Sequence, residues 1–367
     1  MPVKREPDYR ILAVTAGLAL IGLVMIFSAS GTVAGARYGD PAFFLKRQFV
    51  YTLLGFAGMA VAMRINYRKL QDLAPYLYLF SLLMLFLVLI PGIGREVSGA
   101  RRWIILGPLS FQPSEFAKLA LIIAFSHFLV KKEAAGRLRD FVSGYMPNAL
   151  ALAVIFVLIL LQPDMGTSLV AAAVVFGLFF VAGIRFSFIL GTFLTMLPFL
   201  YVAVLNVDYR RRRILSFLDP WADPTDTGFQ IIQSYVALGN GHIFGIGLGD
   251  GRQKNFFLPD AHTDFIFSII GEELGFAGCL LIVFLFAIFV YLGIKTAARA
   301  PDPFGMYLAT GITLSIGLQA AINFGVATGL LPTKGLPLPF ISLGGSALVI
   351  WLISVGILLN VSQYRSS

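Results

Sequence analysis

The chain has one cysteine among 367 residues, Cys279, set in an apolar run, so no intrachain disulfide can form and a small buried hydrophobe is the sufficient reading. It has three histidines, none at metal-ligand spacing, which excludes a zinc site. Charge is scarce: Asp, Glu, Lys and Arg together make up 13% of the residues. No repeat of 20–50 residues and no low-complexity tract breaks the chain into modules, which excludes a solenoid or a propeller. The polar stretch Met1–Arg10 carries Lys4, Arg5 and Arg10, and the apolar segment behind it is too long for the core of a signal peptide. It reads as a retained first span.

What is present is apolar. Hydrophobic residues account for 58% of the chain, 34 of them Phe, and the mean hydropathy is +0.84. A soluble fold of this size needs no such surface, whereas repeated runs of about twenty apolar residues are what a bilayer core demands. The reading is an all-α polytopic membrane protein, one integral domain over 1–367. Ten helices are predicted, near 11–33, 48–64, 74–92, 113–131, 146–162, 166–184, 187–206, 263–294, 303–326 and 340–361. The large loop 207–262 separates the seventh from the eighth. In it Phe229, Ile232 and Val236 recur at helical spacing, and six glycines from Gly239 to Gly251 follow, predicting a short surface helix and then a flexible, close-packed turn.

Net charge is +9, but the Lys and Arg sit in short loops between spans, so anionic lipid and phosphate-bearing lipid are the implied partners and nucleic acid is not. An even number of spans puts both termini on one side. Apart from Lys118, the loops on that side hold 14 cations against 13 opposite, or 14 against 7 once 207–262 is left out, which makes the termini cytoplasmic. The cations outside are more than threading the chain requires. Each alone suits a lipid headgroup; Arg101, Arg102 and the Arg210–Arg213 run together also suit a pyrophosphate, because guanidinium forks match phosphate oxygens.

Several polar groups stand at membrane depth. Leu258 to Glu273 closes the long loop and runs into an apolar helix, so Asp264 falls where water gives way to hydrocarbon, a costly place for a carboxylate without a task. Asp264 is read as the reactive group. His262 orients or hydrogen-bonds beside it, and Asp260 with His262 offers only a sparse hard-cation site. Glu115 and Lys118, three apart at the start of the fourth span, either neutralise each other or line a cavity that receives a phosphate. Asp164, after Gln162-Pro163, caps the next helix or belongs to a substrate path. Of Glu272 and Glu273, two turns below Asp264, at least one must face protein, since a lipid-facing charge costs several kcal/mol. From Asn323 to Ser346, Pro332, Pro337, Pro339 and several glycines forbid a continuous helix, and such backbone survives at depth only when buried or lining a cavity. It reads as a rigid outer lid, with Lys334 and Ser342 as substrate contacts.

That run, with His262-Thr263-Asp264-Phe265, Gln162-Pro163-Asp164, Gly99-Ala100-Arg101-Arg102-Trp103 and Gln112-Pro113-Ser114-Glu115-Phe116-Ala117-Lys118, resembles the SEDS family (shape, elongation, division and sporulation) over essentially the whole chain. Asp219-Pro220-Trp221, Gly271-Glu272-Glu273-Leu274-Gly275 and Leu331-Pro332-Thr333-Lys334-Gly335 resemble its FtsW-like division branch more than its RodA-like elongation branch; Leu343 departs from the Tyr usual before Gly-Gly-Ser. The resemblance implies a peptidoglycan glycosyltransferase at the outer face of the bacterial cytoplasmic membrane, at the division septum. It would polymerise lipid II into undecaprenyl-linked glycan beside a class B penicillin-binding protein and other divisome proteins. The family's essential acid matches Asp264, and its Arg and Glu–Lys positions match Arg101, Arg102, Glu115 and Lys118 by motif. The chemistry agrees: a sugar hydroxyl attacks an anomeric carbon, a carboxylate takes the proton, and the departing lipid pyrophosphate is stabilised by Arg or by a divalent cation such as magnesium. A lipid II flippase would also use buried charges and broken helices. A non-catalytic scaffold leaves those charges without a reason.

Overall fold

The computed structural model describes residues 5–364 other than 98, 108, 206, 207, 227, 256, 260 and 334. Three helices open it, α1 (Tyr9–Tyr38), α2 (Phe43–Arg64) and α3 (Arg68–Leu87). A small sheet follows, β1 (Gly94–Val97), β2 (Ala100–Leu106) and β3 (Leu109–Phe111). Then come α4 (Pro113–Ala134), α5 (Met146–Leu160) led in by a π-helical turn, α6 (Met165–Val181), α7 (Phe186–Leu205), α8 (Asp208–Leu218) and α9 (Phe229–Asn240). The chain closes with α10 (Ile266–Ala298), α11 (Pro303–Ala327) and α12 (Ser346–Ser362). A helix occupies each of the ten predicted stretches, and among the described residues six helices are long and apolar enough to cross a membrane.

Local chemistry sets the ends. Asp8, Asp164 and Asp302 cap α1, α6 and α11, each side chain accepting a backbone N–H of the first turn. Pro113 and Pro303 sit where α4 and α11 have no use for an N–H. The last helix begins at Ser346, not 340, because Pro337, Pro339 and the Gly344-Gly345 pair keep the preceding chain out of helical register.

Arg5 donates its N–H to the Gln363 carbonyl (2.9 Å), Asp8 its N–H to Ser362 Oγ (3.0 Å), and Tyr67 its N–H to Asn360 Oδ1 (2.9 Å). The first and last helices therefore end together, on the end of the bundle opposite the sheet, α8 and α9. The core has two parts, one among α1, α10, α11 and α12, the other among α4, α5 and α6. Helix α4 serves both, and 78% of its apolar window is buried.

Three features depart from the sequence reading. The stretch 94–111 is an antiparallel sheet in the order β1-β2-β3, with Ile104 opposite both Gly94 and Phe111. Strands of four, seven and three residues are too short to leave a periodic signal. The Arg210–Arg213 run lies in a helix, α8. The glycine-rich turn is pinned, not loose. Helix α10 is interrupted at Gly275 (φ 69°, ψ −168°), a conformation open to glycine and little else. The interruption frees two carbonyls and two N–H groups, and the turn takes all four. Ile246 and Gly247 donate to the Glu272 and Glu273 carbonyls (both 3.1 Å), while Phe276 and Ala277 donate to those of His242 and Ile243 (both 2.9 Å).

Both acids face this turn, and neither faces lipid. Glu272 accepts the N–H groups of Arg252 (3.0 Å) and Gln253 (3.2 Å). Glu273 accepts Ser28 Oγ (2.6 Å) and the Lys254 ammonium (2.7 Å), which also donates to Gly249 O (2.6 Å) and Ser28 Oγ (3.1 Å). All three protons of Lys254 are used, and it is 5% exposed. This cation of the outer set therefore holds the fold. Replacing it as Lys254→Met leaves the Glu273 carboxylate buried and uncompensated, which should cost about 3–5 kcal/mol. A thermal melt of the purified protein in detergent checks this, and an unchanged midpoint refutes it.

Candidate active site

The Asp264 loop is held by its backbone. Three consecutive carbonyls are each taken by a donor from α11 or from the segment behind it. Leu343 N–H bonds His262 O (3.0 Å), Ser342 Oγ bonds Thr263 O (2.5 Å), and Asn323 Nδ2 bonds Asp264 O (2.8 Å). Ser342 Oγ also accepts the Leu338 N–H (2.8 Å). The His262 ring lies against Phe44, centroids 4.9 Å apart.

The segment after α11 can supply these donors because it is wedged into the bundle. A Cβ on Gly22 of α1 would stand 2.5 Å from the Phe340 carbonyl oxygen, so only glycine lets the two backbones approach. Phe340 itself is 1% exposed and takes φ 64°, a left-handed backbone that costs an aromatic residue of order 1–3 kcal/mol. Its ring packs on Phe286, Phe289 and Trp351, which holds it there.

In front of this loop lies a cleft of about 40 Å³ lined by Arg213 of α8, Gln230 of α9, Asp264, Phe265, Val326, Thr333, Gly335 and Leu336. The half-buried Asp264 side chain forms one wall; a Cβ on Gly335 opposite would stand 3.4 Å from its Oδ2. Arg213 is exposed at the other side, its Nη1 3.5 Å from the Thr333 carbonyl oxygen. A carboxylate and a guanidinium thus share one cleft at the end of the bundle away from the chain ends.

Glu115 and Lys118 lie apart from this cleft, in the interior. Lys118 Nζ stands 3.0 Å from Glu115 Oε1, donates to Gln319 Oε1 (2.6 Å), and sits 6.0 Å from the Trp351 ring. Gln319 in turn donates Nε2 to the Pro337 carbonyl (2.9 Å). The pair is therefore tied to the segment after α11 through Gln319. Glu115 Oε2 is buried without a partner among the described residues, in a narrow crevice with Ser315 and Ser354 on its walls.

The remaining predicted residues that are described do not line this cleft. Arg102 donates to the carbonyls of Gln162 (3.1 Å) and Pro163 (2.7 Å), just past the end of α5, while Arg101 pairs with exposed Glu96 (3.3 Å). Asp164 accepts Thr167 N–H on one oxygen (3.1 Å) and Gln112 Nε2 on the other (3.2 Å). Lys334 and Asp260 lie outside the described residues, and among those described no group of three or more His, Cys, Asp or Glu side chains comes together. Gln319 and Asn323 escaped notice in the sequence, although two amides four residues apart in an apolar helix are signal enough.

A model of the cell cycle protein family FTSW_RODA_SPOVE matches residues 9–367. The chain is 51% identical over 355 residues to the probable peptidoglycan glycosyltransferase FtsW of Geobacter metallireducens, covering 97% of this chain and 94% of that protein. It is 43% identical over 361 residues to stage V sporulation protein E of Bacillus subtilis, covering 98% of each. Among solved structures it matches a chain of a peptidoglycan synthase complex that coordinates polymerization and crosslinking (TM-score 0.79, 34% identity, 98% of this chain and 99% of that one). It also matches the rod shape determining protein RodA of Thermus thermophilus (TM-score 0.73, 31% identity, 98% of each chain). The chain belongs to this family, the SEDS family of multi-pass membrane proteins, and stands on its FtsW-like side.

Proposed function

We propose that Asp264 is the general base of this chain, which is a peptidoglycan glycosyltransferase like the FtsW relatives named above. It takes the proton from the sugar hydroxyl that extends the glycan. The observation that carries this is the shared cleft: a carboxylate fixed by its own backbone faces the same small space as an exposed guanidinium. The space is small, about 40 Å³, where a single water needs roughly 10–15 Å³. The attacking hydroxyl enters, and its sugar stays at the mouth.

In the reaction the 4-hydroxyl of one lipid-linked sugar attacks the anomeric carbon of another. The new C–O bond forms as the bond to the lipid pyrophosphate breaks, the configuration inverts, and Asp264 holds the proton. Arg213 faces the charge that develops on the departing pyrophosphate, where a planar fork suits two phosphate oxygens. A single base is enough, because a pyrophosphate leaves without the proton a glycosidase must donate to its leaving alcohol.

The cleft then faces the outside and the chain ends the cytoplasm, in keeping with the cation count of the short loops. The partner is a class B penicillin-binding protein that crosslinks the strands, a reading supported by the synthase complex above, and the place is the division septum. The Glu115–Lys118 pair supports the segment after α11 through Gln319; Lys334, between two residues that line the cleft in the sequence, is a further cation for the substrate.

Asp264→Asn should lower polymerisation of lipid II by at least about 100-fold in a detergent assay with the partner present. Expression and partner binding should be unchanged. A variant that still extends glycan at the parental rate would exclude Asp264 as the base. Arg213→Ala should lower kcat by about 10²–10³-fold. Equal rates for the two proteins would remove Arg213 from the reaction.

A further inference from the structure

Asn323 and Gln319 stand one turn apart on the same face of α11, 1% and 0% exposed. Each spends its amide on loop backbone. Asn323 Nδ2 donates to two carbonyls at once, Asp264 O and Leu336 O, both at 2.8 Å. Those carbonyls belong to the two opposite walls of the cleft, the loop before α10 and the segment after α11. Its own Oδ1 is buried without a partner among the described residues, so the side chain accepts an orphaned acceptor in order to place two donors. One residue farther along the second wall, Gln319 Nε2 holds Pro337 O (2.9 Å) while its Oε1 accepts Lys118 Nζ (2.6 Å).

The two amides differ in what they join. Gln319 ties one wall to the buried ion pair, whereas Asn323 ties the walls to each other. A single nitrogen thereby fixes the separation between the Asp264 backbone and Leu336, and with it the approach of Gly335 to the Asp264 carboxylate. Beside it, Ser342 Oγ ties the Thr263 carbonyl to the Leu338 N–H, two residues farther along the second wall. The Leu343 N–H holds the His262 carbonyl farther from the Gly335–Leu336 wall, so the bond nearest the Asp264 side chain is that of Asn323.

We infer that Asn323 is a positioning residue for glycosyl transfer, setting the width of the cleft in which Asp264 meets the attacking hydroxyl. The inference rests on the reading of Asp264 as the base. General-base transfer tolerates little error in distance, and a misplacement of about 1 Å costs on the order of 100-fold in rate. The residue touches no substrate, so its effect falls on turnover and not on lipid II affinity.

The test uses the full-length chain with its partner, with lipid II as substrate. Asn323→Leu matches the side chain in size and lacks both donors; Asn323→Asp matches it in shape and lacks the NH₂ group. Each should lower kcat by on the order of 10–100-fold. The apparent affinity for lipid II should stay within about twofold, and binding of the partner should be unchanged. Gln319→Leu, which leaves the wall-to-wall tie intact, should keep more activity than Asn323→Leu at an equal melting temperature. Parental kcat in either Asn323 variant overturns the inference. So does a loss of rate matched by an equal loss of folded protein in both, because that marks a structural role alone. Parental kcat in Asn323→Leu beside an inactive Asp264→Asn sinks the positioning role and keeps the base; an active Asp264→Asn sinks both.

Discussion

Backbone without a helix cannot be left dry inside a bilayer, and that constraint governs the whole of this site. Water is absent at that depth, so every N–H and C=O released by a proline or by a break must be met by protein. The chain meets them with side-chain and backbone groups brought in from elsewhere in the fold. Asn323, Gln319 and Ser342 catch carbonyls of the loops around Asp264, and the turn after α9 catches the four groups freed at Gly275. Arg102 does the same for the carbonyls beyond α5. The polar residues of the interior are thus largely the cost of breaking helices, and the breaks are what make a cleft.

The buried ion pair fits the same account. Lys118 and Glu115 are buried, and the Lys118 ammonium polarises the Gln319 amide that grips Pro337. Charge in the interior is passed to the loop as hydrogen-bond strength. At the cleft, by contrast, Asp264 is half-buried and Arg213 exposed, and both side chains line the same opening. The interior is built for shape and the rim for chemistry.

Much of this could be read in the sequence. The helices announce themselves by composition, because only one solvent demands twenty apolar residues in a row. Asp264 announces itself by cost, and the Pro-rich segment from Pro332 to Pro339 by what it forbids. What could not be read is pairing across the chain. Nothing near Lys254 foretells that its ammonium meets Glu273, nor does the Arg102 motif reveal that its guanidinium serves two carbonyls sixty residues away. A motif identifies residues that matter and is silent on whether they touch substrate or backbone. The short strands and the helix of the Arg210–Arg213 run failed for a plainer reason, since neither is long enough for periodicity to outweigh its polar residues.

The interruption at Gly275 has a mechanical consequence. A continuous rod of 33 residues would carry any push at its outer tip straight to the opposite face of the membrane. Here the outermost stub, Ile266 to Leu274, is bolted to the turn that follows α9, and the shaft below begins afresh at Phe276. Asp264 therefore rides with the turn after α9 and not on the shaft that begins at Phe276. A load applied to that turn reaches the Asp264 loop without first passing through the shaft below the break.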